Sequence, residues 1–105
     1  MAKRKVIWST HSSMDMVEIM NYYTHRNKSK DYSQKLYNSI QFKLKTLDFS
    51  VALPQKTSDN KLFYFTIKHI FIGFDCNNNN NLNVLLVIDD RRNPELIKKM
   101  LNTTA

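Results

Sequence analysis

The chain has 105 residues, which suits one domain and is too short for two. Its hydrophobic fraction of 42% and aromatic fraction of 11% can build a core, which argues against global disorder. No apolar run approaches the roughly 20 residues that cross a bilayer, and no apolar segment follows the basic start, so we expect a cytoplasmic protein. One cysteine and one glycine exclude an internal disulfide, a multi-cysteine zinc site and a glycine-rich phosphate loop.

The charge balance is strongly basic. Sixteen lysines and arginines against nine aspartates and glutamates give a formal net charge of +7. Small basic proteins commonly bind something acidic, such as nucleic acid, a ribosome, a membrane surface or an acidic protein. The charge alone does not choose among these partners, and a lysine-rich surface that only keeps the chain soluble is the alternative.

The first part of the chain predicts a strand followed by a helix. Lys5–Trp8 is a short run of β-branched and aromatic residues, which is typical of a strand. Ser12 with Asp15 three residues later has the form of a capping box, and we expect a helix over residues 11–26. Its apolar face, at positions spaced three and four apart, consists of Met16, Ile19, Met20 and Tyr23.

A second apolar repeat predicts a second helix after the polar turn at Asn27–Lys30. Its members, spaced by four and then three residues, are Tyr32, Leu36, Ile40, Leu44 and Leu47. Because the link between the two helices is short, we expect them to form an antiparallel hairpin. Pro54 cannot continue the second helix, and the polar segment Gln55–Asn60 is typical of a loop.

The second half of the chain has strand periodicity. We expect strands at Leu62–Ile67, His69–Cys76 and Leu82–Ile88. The five asparagines at 77–81 predict the loop between the last two strands, with a prion-like tract as the alternative. Asn93-Pro94-Glu95 then begins a short helix. The chain therefore predicts a single α+β domain: an N-terminal strand, an antiparallel helical hairpin, a three-stranded antiparallel meander and a short C-terminal helix.

Both faces of the predicted sheet carry apolar side chains. Phe71, Leu85 and Val87 alternate with a second apolar set in the same two strands. That set consists of Ile70, Ile72, Phe74, Val84, Leu86 and Ile88. Since the helical hairpin can cover only one face, the other face is expected to bind a partner. The alternative is that the C-terminal helix folds back over it.

Segments at both ends of the chain follow a known pattern. The opening consists of Ile7-Trp8-Ser9, Asp15-Met16, Ile19 and Tyr22. The end consists of Lys68-His69, an alternating strand and Val87–Pro94. In this order and spacing, with Pro54 between helices and meander, the chain resembles the RelE/ParE toxin superfamily from about residue 5 to residue 101. The family fold is a strand, a helical hairpin, a meander and a short helix.

The resemblance implies the toxin of a type II toxin–antitoxin system. Such a toxin is small, basic and cytoplasmic, inhibits growth, and is silenced by a cognate antitoxin whose disordered segment covers the exposed sheet and grooves. A homodimer or a toxin–antitoxin hetero-oligomer is compatible with this role, and no cofactor, metal or membrane is expected. The residues expected to bind a partner are Phe71, Leu85, Val87, Asp89, Arg91 and Arg92.

The family divides between two mechanisms. RelE-like members cut mRNA in the ribosomal decoding site, where cations orient the scissile phosphate and a base acts on the 2′-hydroxyl. ParE-like members lack those groups and poison DNA gyrase by binding. Leu62 and Phe63 stand where many relatives have an arginine, and neither histidine nor tyrosine follows Arg92. We therefore expect a ParE-type inhibitor, with a ribosome-dependent mRNA endonuclease and a non-toxic complex partner as the alternatives.

Some side chains nevertheless suit an enzyme. The candidates for a catalytic role are Lys61, Lys68, His69, Arg91 and Arg92. Each has a structural interpretation as well. His69 can be a polar residue at a strand end, and the two arginines can bond Asp89 or Asp90 and the start of the last helix. Asp89 beside two arginines is expected to stay ionised and structural. The three histidines lack a metal-ligand spacing.

Overall fold

A computed structural model describes residues 5–47, 55–57, 61–76 and 81–101. Within these residues the chain forms three helices and five strands. In chain order they are β1 Lys5–Trp8, α1 Thr10–Asn27, α2 Asp31–Thr46, β2 Gln55–Lys56, β3 Phe63–Ile67, β4 Ile70–Cys76, β5 Asn81–Asp89 and α3 Pro94–Leu101. The prediction of an α+β chain is confirmed. Pro54 and most of the asparagine run lie outside the described residues.

The strands form one mixed sheet in the order β1-β5-β4-β3-β2. β3, β4 and β5 pair antiparallel, whereas β1 pairs parallel with the first half of β5, from Asn81 to Val84. β2 pairs with the start of β3 at the far edge, so the loop predicted for Gln55–Asn60 begins as a short strand. A two-residue, exposed edge strand without β-branched residues leaves no signal in the sequence.

The N-cap of α1 is Ser9, three residues before the cap predicted at Ser12. The hydroxyl of Ser9 is the cap, because it accepts a 3.0 Å hydrogen bond from the backbone N–H of Ser12. The side chain of Ser12 is fully buried and donates a 2.8 Å hydrogen bond to the carbonyl of Val84 on β5. The capping-box prediction for Ser12 is therefore wrong, because this side chain faces the sheet and fastens the start of α1 to it.

The helical hairpin packs on one face of the sheet and forms the core with it. Two hydrogen bonds join the helices: Ser33 donates to the carbonyl of Met20, and its hydroxyl lies 2.8 Å from that of Thr24. The indole of Trp8 donates to Gln41, which ties β1 to α2. The buried residues of this core are Met16, Ile19, Tyr23, Leu36, Ile40, Leu44, Phe65, Ile70, Ile72, Phe74, Leu82, Val84 and Val87. Burial of apolar surface on this scale is the main force holding the layers together.

β5 contains an irregularity that shifts the pattern of its two faces. Gly73 is opposite Leu86, but the next residue of β4, Phe74, is opposite Val84, so Leu85 is an extra residue in β5. Such a β-bulge reverses the alternation of side chains beyond it. The expectation that Leu85 and Val87 share the outer face is therefore wrong: Val87 belongs to the core beneath the helices.

The outer face of the sheet, opposite the helical hairpin, is largely buried in its middle. Phe71 is 1% exposed and Ile88 is 5% exposed, and the ring of Tyr64 stacks on that of Phe71 with centroids 4.9 Å apart. Leu96 of α3 lies near Leu86 and Ile88. The expected bare apolar face is thus absent at these described positions. Among the described residues, no helix is long and apolar enough to cross a membrane.

Candidate functional site

Four of the five candidate catalytic residues come together at one end of the sheet. Ile67 pairs with Ile70, so Lys68 and His69 form the two-residue turn between β3 and β4. Ile70 in turn is opposite Asp89, the last residue of β5. The arginine pair follows directly, and the backbone N–H of Asp90 donates a 2.8 Å hydrogen bond to the carbonyl of His69. The hairpin turn and the segment 89–92 therefore form one local site.

Lys61 is the candidate that does not join this site. It precedes β3, whereas the turn with Lys68 and His69 follows it. A strand rises about 3.3 Å per residue, so the length of β3 separates the two ends. Lys61 is exposed at the opposite end of the sheet, and it cannot act on a phosphate held beside His69.

The hairpin turn adopts an unfavourable backbone conformation. Lys68 has a φ of 47° and His69 a φ of 73°. Positive φ at both positions is the requirement of a type I′ turn, for which Asn-Gly is the usual sequence. Two non-glycine residues in this region cost conformational energy, which the surrounding sheet has to offset. Such backbone outliers are common at functional positions. Here they are the two residues of the turn that joins β3 to β4.

His69 and Asp90 form an exposed side-chain pair. Nδ1 of His69 is 3.2 Å from Oδ1 of Asp90, and the two side chains are 55% and 34% exposed. The roles of donor and acceptor depend on the imidazole tautomer. Lys68 extends over the ring of Tyr32, with Nζ 5.6 Å from the centroid. An imidazole oriented by a carboxylate can accept or donate a proton.

Arg91 belongs to a hydrogen-bond network with the buried residues Tyr23 and Asp89. The hydroxyl of Tyr23 donates a 2.6 Å hydrogen bond to Oδ2 of Asp89, and Nη2 of Arg91 donates a 2.5 Å hydrogen bond to that same hydroxyl. Oδ1 of Asp89 accepts the backbone N–H of Arg91 at 3.0 Å. Burial raises the pKa of Tyr23, and the hydrogen bond to Asp89 raises it further. Its hydrogen bond with Tyr23 raises the pKa of Arg91.

Arg92 also turns towards α1. Its guanidinium carbon is 4.3 Å from the centroid of the Tyr22 ring, which is the geometry of a cation–π contact. Nη2 of Arg92 is 3.8 Å from Oε1 of Glu18. Both guanidinium groups therefore have a structural role, as the alternative interpretation expects, but their partners lie on α1. Asp89 is bonded by the backbone N–H of Arg91.

A cleft of about 330 Å³ lies where α1, β5 and α3 meet. β1 pairs only as far as Val84, so the following part of β5 is an edge of the sheet. The walls carry both ionisable and apolar side chains. They are His11, Asp15, Glu18, Ile19, Leu86, Val87, Ile88, Asp89, Arg92, Asn93 and Leu96. An edge strand bordered by a cleft is a position where an extended segment of a partner can pair.

Of the residues predicted to bind a partner, some line the cleft and others lie outside it. Arg92, Val87 and Asp89 line the cleft, although Val87 and Asp89 are only 3% and 4% exposed. Leu85 is the half-buried bulge residue, and Phe71 is buried in the middle of the outer face. Leu86 and Ile88 also line the cleft, whereas the sequence predicts Leu85 and Val87 as the partner-binding residues of β5.

Tyr23 is the residue of this site that the sequence pattern assigned only to the core. A clue was present, because a tyrosine on the buried face of a helix needs a partner for its hydroxyl. The nearest polar groups in the fold come from residues 66 positions later, which periodicity cannot reveal. In the described part of the chain, no group of three or more histidine, cysteine, aspartate or glutamate side chains could hold a metal ion.

Comparison with known proteins gives no match. No protein-family model, no curated protein and no solved structure matches this sequence.

Proposed function

We propose that this chain is the toxin of a type II toxin–antitoxin system with a RelE/ParE-like fold. In this proposal it inhibits growth by binding a cellular target, with DNA gyrase as the first choice, and a cognate antitoxin neutralises it in the cytoplasm. The support comes from the order of the elements. A strand, a helical hairpin, a two-residue edge strand, three antiparallel strands and a short helix follow one another, and the first strand lies beside the last.

The contacts of Arg91 favour a binding function over a catalytic one. A nuclease has to place at least two cations on the scissile phosphate and on the charge that develops there. Arg91 is instead bonded to Tyr23, and its guanidinium carbon lies 5.5 Å from the centre of that ring. Arg92 contacts Glu18 and Tyr22. With Lys61 at the other end of the sheet, Lys68 is the remaining candidate cation beside His69.

The cleft between α1, β5 and α3 is where the proposal places a segment of the antitoxin. Its apolar walls, Leu86, Ile88 and Leu96, can bury side chains of an extended segment, and the edge of β5 can pair with its backbone. A complex of this kind buries more than about 1,000 Å² in total. Co-expression with the neighbouring open reading frame should then give a soluble hetero-oligomer.

One observation favours a second candidate, a ribosome-dependent mRNA endonuclease. His69 and Asp90 form an exposed pair at hydrogen-bond distance, next to Lys68, on a turn with unfavourable backbone angles. An imidazole positioned in this way suits proton transfer at a 2′-hydroxyl. The two candidates differ in whether His69 is needed.

The test compares the wild-type chain with His69→Ala and with His25→Ala, an exposed histidine in the last turn of α1. Growth after induction is measured together with primer extension on a translated message and a gyrase supercoiling assay. We expect growth arrest and inhibition of supercoiling in all three proteins. Codon-phased mRNA cleavage that is lost only in His69→Ala would replace the binding proposal by the endonuclease.

If induction causes neither arrest nor activity in the two assays, the chain is a non-toxic partner of its complex. That outcome still leaves the antitoxin interaction open to measurement. Binding of the adjacent gene product, followed by co-purification, would then define the role of this chain, and failure of both toxicity and binding would reject the toxin–antitoxin proposal as a whole.

A further inference from the structure

The positive charge of this protein is concentrated in one segment. Residues 26–46 contain six lysines and arginines and one aspartate, a formal net charge of +5 out of +7 for the chain. These residues are the end of α1, the turn after it and α2. All six basic side chains belong to exposed residues: Arg26, Lys28, Lys30, Lys35, Lys43 and Lys45. This segment is therefore the most basic surface in the described part of the chain.

α2 carries an exposed stripe that combines cations with an aromatic ring. Lys35, Asn38, Phe42 and Lys45 are spaced by three, four and three residues, which places them on one side of the helix. The stripe extends over about 15 Å at 1.5 Å per residue. The buried face of α2 consists of Leu36, Ile40 and Leu44, each 0% exposed. Phe42 is 70% exposed, so the core does not account for it.

Within the described residues, the lysines of this stripe, Lys35 and Lys45, take part in no ion pair. Asp31, one helical turn before Lys35, is the acid closest to it in sequence, and the two do not form an ion pair. A solvated lysine surface does not require an exposed phenylalanine, and an exposed ring between two lysines offers a flat face on which a base can stack.

We propose that this stripe binds single-stranded nucleic acid. Lys35 and Lys45 contact phosphates, and the ring of Phe42 stacks on an unpaired base. The side-chain NH2 of Asn38, whose carbonyl oxygen accepts a 3.1 Å hydrogen bond from Gln34, donates to the strand. Cations that follow the backbone, together with an aromatic ring for the bases, are the general means of binding single strands. A duplex offers phosphates but keeps its base faces stacked, and an acidic protein uses the lysines without needing the flat ring.

The experiment measures binding of a fluorescein-labelled oligothymidylate by anisotropy, with a labelled duplex of the same length in parallel. Lys35→Gln/Lys45→Gln is compared with Lys98→Gln/Lys99→Gln on α3, which removes the same charge from two other exposed lysines. We expect the α2 variant to bind at least tenfold more weakly and the α3 variant to bind within about threefold of wild type. Between about 50 and 200 mM salt, the log–log slope should fall by roughly 0.7 for each phosphate contact removed.

The role of Phe42 is tested by Phe42→Leu and Phe42→Trp. Leucine keeps an apolar side chain but removes the ring, and the loss of one stacked base should weaken binding by about tenfold. Tryptophan can still stack, so it should keep the affinity, and the added fluorescence should be quenched by the oligonucleotide. Because Phe42 lies outside the core, circular dichroism should be unchanged in both variants.

Four results would overturn the proposal. They are the absence of binding to the single strand, a duplex bound at least as tightly, an equal loss in the α2 and α3 variants, and full affinity in Phe42→Leu. A poly-glutamate peptide that binds the stripe as tightly as the oligonucleotide would assign it to an acidic protein instead. The measurement requires no growth arrest, so failure of this proposal and failure of the toxin proposal can be told apart.

Discussion

The phenol of Tyr23 and the carboxylate of Asp89 are joined by a 2.6 Å hydrogen bond between α1 and the end of β5. The two residues are 3% and 4% exposed, so both polar groups depend on partners within the protein. The backbone N–H of Arg91 satisfies the second oxygen of Asp89, and the guanidinium of Arg91 bonds the phenol from outside. This network fixes the direction of the chain after β5. The backbone N–H of Asp90, the next residue, donates a hydrogen bond to the carbonyl of His69.

The first prediction concerns the stability that this network provides. Tyr23→Phe should lower the free energy of unfolding by about 1–3 kcal/mol, because it leaves the buried carboxylate of Asp89 without one of its donors. Tyr22→Phe is the matched control, since Tyr22 is 39% exposed and keeps its ring beneath Arg92. Urea denaturation of both variants measures the difference. Equal stability of the two would show that the hydroxyl of Tyr23 contributes nothing.

The second prediction concerns alkaline pH. Burial and the hydrogen bond to Asp89 raise the pKa of Tyr23 above 10.0, the value expected in the unfolded chain, although Arg91 opposes this in part. A group with a raised folded-state pKa contributes stability that is complete below the unfolded pKa and is lost as pH rises through the folded pKa. Unfolding free energy should therefore be steady up to about pH 10 and fall above it.

Tyr23→Phe lacks the titrating group and should show a shallower fall over the same alkaline range. The absorbance of tyrosinate gives an independent measurement, because one of the five tyrosines should ionise only at higher pH in the folded protein. Identical pH profiles for wild type and variant would contradict this assignment.

The helices and the core could be predicted from the sequence because their signals are local. Spacings of three and four residues identified Met16, Ile19, Leu36 and Ile40, all of which are buried. The face assignment of β5 could not be predicted, because the bulge at Leu85 depends on how two strands pair and not on the residues of either strand alone.

The candidate site shows the same limit. Proximity in sequence suggests that the arginine side chains contact Asp89 or Asp90, but it is the backbone N–H of Arg91 that bonds Asp89, while its guanidinium bonds Tyr23. The contacts with Tyr22 and Tyr23, however, join residues nearly 70 positions apart and depend on where α1 crosses β5. The separation of Lys61 from His69 likewise follows from their positions at opposite ends of β3.

The third prediction separates the two arginines. Arg91→Ala should destabilise the protein more than Arg92→Ala, because Arg91 bonds the buried phenol of Tyr23, whereas Arg92 pairs with Glu18, which is 71% exposed. Surface ion pairs contribute little to stability. Thermal unfolding gives the comparison. In a double-mutant cycle, Arg91→Ala and Tyr23→Phe should be non-additive, while Arg92→Ala and Tyr23→Phe should be closer to additive. The reverse order of stabilities would reject the structural role of Arg91.

The fourth prediction concerns the buried start of α1. Ser12→Ala should destabilise the protein by about 1 kcal/mol, because it removes the hydroxyl that donates to the carbonyl of Val84. Ser13→Ala, one residue later and only half-buried, is the control and should change stability by less than about 0.5 kcal/mol. Chemical denaturation measures both. A larger effect at Ser13 would mean that the contact between α1 and β5 is made differently.

The last prediction concerns the turn at Lys68 and His69. Replacing the pair by Asn-Gly supplies the residues that a type I′ turn prefers, so the free energy of unfolding should rise by about 1 kcal/mol. Lys28→Gly is the control, because Lys28 also has a positive φ, of 54°, but lies at the end of α1 away from the sheet. It should raise stability in the same direction.

Under the binding proposal, both variants should still arrest growth after induction, since neither the imidazole of His69 nor the ammonium group of Lys68 performs chemistry. Denaturation and growth are therefore measured on the same pair of variants. The informative outcome is an Asn-Gly variant that is more stable but no longer arrests growth, together with a Lys28→Gly variant that is more stable and still arrests growth. In that case the unfavourable backbone at the turn is maintained for function. That combination would favour the endonuclease, because it would make the exposed His69–Asp90 pair and its neighbouring cation necessary for activity.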